Sequence, residues 1–146
     1  MCPFKKILVP IDGSDTSDKA MRTALDLTRE ALGTVRFVHV IDDDRHLTSY
    51  ELSGDLRTYA HHNARELLQK AMDAASAMGV NAESHVVDKP YRRLGESVAD
   101  EAADWGADLV VIGTHGRRGL GRLLLGSGAE QVLRLSGVPV LVVRGP

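Results

Sequence analysis

Six of the chain's 14 glycines fall within the 16 residues from Gly113 to Gly128, inside a carboxylate-free stretch that runs from 109 to 129. Glycine lets backbone N–H groups approach an anion closely and can take positive φ, and Arg117, Arg118 and Arg122 add positive charge to the same segment. Phosphate is the anion such a combination suits. At the far end, Ser127-x-x-Glu130 has the spacing of a capping box. Gly126-Ser127 is therefore expected to open a helix whose unpaired N–H groups and dipole also favour an anion. Ser127 has two calls on it: its hydroxyl can cap its own helix, worth about 1 kcal/mol, which leaves only its N–H for phosphate, and both roles can coexist in part. Leu120, Leu123, Leu124 and Leu125 read as packing anchors, and His115 as either a phosphate contact or a solvent-facing ring.

Neither of the two best-known phosphate loops is present: the sequence has no GxxxxGK[ST] and no GxGxxG. What stands here is Gly113-x-x-Gly116, nine residues, then Gly126-Ser127. Catalytic patterns are also missing. There is no GxSxG elbow, no HExxH and no lysine in the loop of the kind a P-loop enzyme needs, so binding with at most slow hydrolysis is the expectation. The lone Cys2 excludes an internal disulfide, a thiolate zinc cluster and a CxxC pair. His62 and Glu66 have the spacing of half a metal site, but nothing completes it, and a solvated helix face is the simpler reading. Asp42, Asp43 and Asp44 lack the alternation and glycine of an EF-hand.

A scaffold must hold that segment, and 146 residues suffice for one core burying roughly 70% of the unfolded chain's surface. With 43% hydrophobic and 26% charged residues the composition is globular. A net charge of −2 and scattered tyrosines (Tyr50, Tyr59, Tyr91) give no nucleic-acid surface. The charge is uneven: residues 109–146 carry five arginines against the single Glu130, while residues 1–108 carry 13 basic and 19 acidic side chains. No apolar run approaches the ~20 residues of a membrane span. The run from Ile7 to Ile11 is too short for a signal core, so the expected compartment is the cytoplasm, with no membrane insertion.

Apolar runs predict strands at Lys5–Ile11, Val35–Ile41, Asp108–Ile112 and Val138–Val143, and a more polar one at Asn81–Val87 that suits a sheet edge. Helical spacing of Ala20, Ala24, Leu27 and Ala31 predicts a first helix stopped by Gly33. Ala60, Ala64, Leu67, Ala71 and Ala75 predict a second from about Leu56 to Met78, and shorter helices follow at Gly95–Trp105 and Ser127–Ser136. Alternating strands and helices imply one doubly wound α/β domain over 1–146. Its five-stranded parallel sheet carries helices on both faces, in a Rossmann-like arrangement. The two most apolar strands, the first and fourth, belong in the middle. If they are neighbours, the topological switch point lies between the loops Pro10–Asp15 and Gly113–Ser127. Asp12 is then either an ordinary turn carboxylate or a ligand contact. The fifth strand is apolar, carries Pro139 and reads as an open edge, so a homodimer through residues 138–143 is expected.

The spacing of the glycine segment after an apolar strand resembles the ATP-binding signature of the universal stress protein family. The resemblance extends to Lys6-Ile7-Leu8-Val9-Pro10-Ile11-Asp12-Gly13-Ser14, His39-Val40-Ile41, Gly113-Thr114-His115-Gly116-Arg117 and Val138-Pro139-Val140-Leu141-Val142-Val143-Arg144. It implies a stress-response regulatory protein that binds ATP. Adenine would be held by backbone around Pro10, Ile11, Asp12 and Val40, and ribose near Asp12, Gly113 and Thr114. The phosphates would meet Gly116, Arg117, Gly126, Ser127, Gly128 and Ala129, with Mg²⁺ as a candidate bridging cation. Gly128 stands where that family often carries valine, a departure that adds backbone freedom at the helix start.

Three other functions compete. A receiver domain would use Asp88 at the end of strand three, but needs an acidic pair after strand one and a lysine after strand five, where Asp12 alone and Arg144 stand. An adenylyl-transfer enzyme would need a histidine-glycine or serine-glycine-glycine loop that Asp12-Gly13-Ser14 does not match. A nucleotide-free interaction module is what remains if the loop binds nothing.

Overall fold

The computed structural model describes residues 3–41, 54–114 and 125–145. The elements run β1 (Lys6–Pro10), α1 (Asp15–Ala31), β2 (Thr34–Val40), α2 (Gly54–Ala77), β3 (Asn81–Val87), α3 (Leu94–Trp105), β4 (Leu109–Gly113), α4 (Ser127–Leu135) and β5 (Val140–Val143). All strand pairs are parallel, in the order β3-β2-β1-β4-β5. The strand order is that of a Rossmann half, with the switch point between β1 and β4. The central strands are the most apolar because both of their faces are covered, and the polar β3 lies at an edge, as its pattern predicts.

Alternation along each strand divides the core in two. Ile7, Val9, Val35, Phe37 and Val111 pack under α1 and α2 against Ala20, Ala24, Leu68 and Ala71. Leu8, Val38, Val40, Val110 and Ile112 pack under α3 and α4 against Val98, Ala102, Ala129 and Val132. The same alternation sends the two lysines opening β1 to opposite faces. Lys5 Nζ donates to the Ala31 carbonyl at the end of α1, and Lys6 Nζ to the Trp105 carbonyl at the end of α3 (2.7 Å). Each cation thus meets the negative end of a helix dipole. Asp108 locks this edge by accepting the N–H groups of Lys5 and Lys6, both at 2.9 Å.

Two expectations about helix ends need correction. The residue that turns left-handed to stop α1 is Leu32, at φ 54° and 88% exposed, and not Gly33. Gly33 is needed for closeness: a Cβ there would lie 2.3 Å from the Lys5 carbonyl oxygen. At α4 the N-cap is Gly126, in extended conformation, and Ser127 is already the first helical residue. The capping box read from Ser127 and Glu130 is therefore not made; instead Glu130 pairs with Arg134 at 2.8 Å.

Candidate functional site

Pairing between β1 and β4 ends at Leu8 and Val110, while β4 stays paired with β5 up to Gly113 and Val143, and β1 with β2 up to Pro10 and Val38. The sheet therefore opens between its two central strands toward their C-terminal ends, where open α/β sheets bind ligands. The first turn of α1 lies in that opening. Gly113 makes this possible, since a Cβ there would come within 2.7 Å of Thr16 Oγ1 and 2.8 Å of the Thr16 backbone carbonyl carbon.

The wall on the β1 and β2 side is closed by short-range bonds. Ile11 N–H donates to the Val38 carbonyl (2.7 Å), and the Ile11 carbonyl meets His39 Nδ1 at 2.6 Å. Asp12 N–H donates to Ser17 Oγ (3.1 Å), and Asp12 Oδ1 accepts from Ser14 N–H (2.9 Å), a turn that needs the positive φ of Gly13, 85°. Ile11 and Val40 are buried, Pro10 and Asp12 half-buried. Asp12 thus has the local role of a turn carboxylate in addition to its place beside the crevice.

On the other side, three chain segments are sewn together in series. Thr114 N–H donates to the Val143 carbonyl (2.9 Å), and the Thr114 carbonyl accepts from Gly126 N–H (2.7 Å). Thr114, at 8% exposure, thereby ties the end of β5 to the N-cap of α4. The first bond of α4 runs from Glu130 N–H to the Gly126 carbonyl (2.9 Å), so the N–H groups of Ser127, Gly128 and Ala129 precede it, and among the described residues no side chain caps the helix. These are the orphan donors of a helix N-terminus, and they open at the C-terminal edge of the sheet. Ser127 is exposed and Ala129 buried, while Gly128 accommodates Leu94 of α3, whose Cδ2 would be 2.5 Å from a Cβ at that position.

Gly126 (φ −63°) and Gly113 do not use the positive φ that glycine permits; Gly113 serves close packing. Gly116, Arg117, the other loop arginines, His115, Leu120, Leu123, Leu124 and the Asp42–Asp44 run lie outside the described residues. Leu125 does pack against the core under α3 and α4. Sequence reasoning missed Thr16, His39 and Leu94. The signal for Thr16 was the need of a bare Gly113 for something to pack against it.

Asp88 ends an edge strand and is bound by Arg57 (3.3 Å) and His61 (2.9 Å), away from the switch point, which removes the receiver reading. His62 and Glu66 pair with each other at 3.0 Å on an exposed face. Among the described residues no group of three or more His, Cys, Asp or Glu side chains could hold a metal ion, and no helix is long and apolar enough to cross a membrane.

The 3-2-1-4-5 parallel sheet with its crevice at the switch point places the molecule among doubly wound α/β proteins of Rossmann type. The chain belongs to the universal stress protein family, whose sequence model matches residues 3–144. It is 34% identical to universal stress protein MJ0531 of Methanocaldococcus jannaschii, over 98% of this chain and 84% of that one. With universal stress protein YxiE of Bacillus subtilis it shares 32%, over 97% and 99%. Among solved structures, MJ0577 of M. jannaschii superposes with a TM-score of 0.86 at 28% identity, covering 98% of this chain and 97% of that one. A universal stress protein of Archaeoglobus fulgidus in complex with dAMP gives 0.69 at 21% identity (98% and 99% covered). One of Arabidopsis thaliana with AMP bound gives 0.71 at 16% (97% and 92%). At those identities the last two speak to the fold, and the nucleotides are their own.

Proposed function

We propose that residues 1–146 act as one unit that binds an adenine nucleotide, with ATP as the expected ligand, in the crevice between β1 and β4. The observation that carries this is the uncapped start of α4, held at the mouth of the crevice by the Thr114–Gly126 bond. Relatives with AMP and dAMP bound support the adenine part of the reading.

In this reading the base lies against the strand ends at Pro10, Ile11, Asp12 and Val40, and the ribose between Asp12, Gly113 and Thr114. The N–H groups of Ser127, Gly128 and Ala129, with the Gly126 turn, meet phosphate oxygens, joined by Gly116 and Arg117 from the glycine segment. Mg²⁺, where bound, would neutralise part of the phosphate charge. The residues fit an anion: among the described residues no side chain takes up the donors, and Glu130 alone carries a carboxylate in the first turn of α4. No lysine stands in the glycine segment to stabilise a transferring phosphoryl group, so hydrolysis is at most slow and occupancy, not turnover, is the output.

Two further parts of the proposal are a cytoplasmic location and a homodimer through the open edge of β5. Leu141 on one side of that edge and Leu133 and Leu135 on α4 are exposed, which suits a partner surface. Analytical ultracentrifugation at micromolar concentration should show the dimer; a monomer there contradicts it.

A thermal-shift series with ATP, ADP and AMP, with and without Mg²⁺, tests the binding. Ligand at 100 times its dissociation constant should stabilise the fold by about 2.7 kcal/mol, raising the midpoint by roughly 5 to 10 °C for a domain of this size. Gly116→Val should reduce that shift. No shift with any adenine nucleotide leaves the interaction-module reading.

A further inference from the structure

We infer that Arg144 is a specificity-determining residue that engages the distal phosphates, so that the site distinguishes nucleoside di- and triphosphates from monophosphates. The inference rests on the binding site proposed above and concerns only residues at its described end.

Alternation along β5 fixes the face on which Arg144 stands. Val140 and Val142 pack in the core beneath α3 and α4, whereas Val143 packs in the core beneath α1. Gly145 continues the alternation: a Cβ there would lie 2.7 Å from Thr16 Cγ2 of α1. Arg144, between them, therefore belongs to the α4 face of the sheet. Its position along the strand is fixed as well. The Val143 carbonyl is bonded to Thr114 N–H and the Thr114 carbonyl to Gly126 N–H, so Arg144 directly follows a chain of hydrogen bonds that ends at the N-cap of α4. Strand end and helix start thus lie at the same edge and on the same face.

Arg144 is exposed, and among the described residues no carboxylate pairs with it. Three other surface arginines are paired, Arg29 with Asp26, Arg92 with Glu96 and Asp100, and Arg134 with Glu130, while the exposed Arg22 and Arg65 stand on α1 and α2, on the opposite face of the sheet from α4. The acidic residues of the crevice, Asp12 and Asp15, belong to the start of α1 on the opposite face. A guanidinium carried at that strand end and on that face would supply the forked donor and full charge for a phosphate chain extending from the helix start. A monophosphate is satisfied by the helix N–H groups alone; longer phosphate chains also reach Arg144.

Calorimetric titration of the full chain, Arg144→Gln and Arg144→Lys with ATP, ADP and AMP tests this. Arg144→Gln should weaken ATP by about tenfold, as loss of one charged hydrogen-bonding group does, and leave AMP within about twofold. Arg144→Lys should recover the larger part of the ATP affinity, and the salt dependence of ATP binding should become shallower in Arg144→Gln. Equal losses for ATP and AMP, or no loss for either, overturn the role of Arg144 while leaving the nucleotide site standing. Absence of any adenine-nucleotide binding by the unsubstituted chain overturns both.

Discussion

Two helices begin at the C-terminal edge of the sheet, on either side of the crevice, and they are built in opposite ways. The start of α1 is complete in itself. Ser14 Oγ accepts the Ser17 N–H at 3.2 Å, Asp12 takes the Ser14 N–H, and Asp15 and Asp18 place carboxylates against the positive end of the dipole. At the start of α4, glycine occupies the N-cap, Ser127 the first helical position and Gly128 the next, and no side chain among the described residues takes up their N–H groups. On the proposed reading, this difference marks where the anion is received. The start of α1 is capped by a side chain and carries two first-turn carboxylates, whereas α4 has Glu130 alone in its first turn and a glycine N-cap, which forgoes roughly a few tenths of a kcal/mol and, among the described residues, leaves its donors available.

The largest effect is expected where the first turn of α1 is pressed against the end of β4. Gly113→Val puts branched bulk against the Thr16 backbone, 2.8 Å from where even a Cβ would stand. α1 must move, at a cost of about 1 to 3 kcal/mol, and chemical denaturation should show that loss together with a diminished ATP-induced shift. A smaller effect, confined to stability, is expected at the capped helix. Ser14→Ala removes the α1 cap and should lower unfolding free energy by about 1 kcal/mol, while the shift produced by ATP stays unchanged. A loss of nucleotide binding in Ser14→Ala would erase the distinction drawn between the two helices.

Much of this arrangement is legible in the sequence, and the parts that are not have physical causes. The apolar runs at Ile7–Val9 and Leu109–Ile112 announce central strands because burial on both faces leaves no polar position, and from their adjacency the switch point follows. Asn81–Val87 shows the converse at an edge. Helix ends are harder to read. Gly33 attracts the role of helix stop, but the backbone of Lys5 passes so close that glycine is needed for space, and the left-handed turn falls on Leu32. Ser127 and Glu130 have capping-box spacing one residue too late, because the bond from Gly126 N–H to Thr114 makes Gly126 the N-cap. Long-range pairs of this kind, Gly113 with Thr16 and Gly128 with Leu94, leave no periodic trace in the chain.

The most direct test of the difference between the two helix starts is to give α4 a carboxylate at its first helical position, where α1 has Asp15 and α4 has Ser127. In Ser127→Asp an exposed residue acquires the charge that Asp15 carries at the equivalent position of α1. Favourable interaction with the dipole should stabilise the unliganded protein by about 0.3 to 1 kcal/mol, a rise in midpoint of roughly 1 to 4 °C, while the further rise produced by saturating ATP should disappear. If the variant is more stable and still responds to ATP as fully as the unsubstituted chain, the start of α4 is not where phosphate binds.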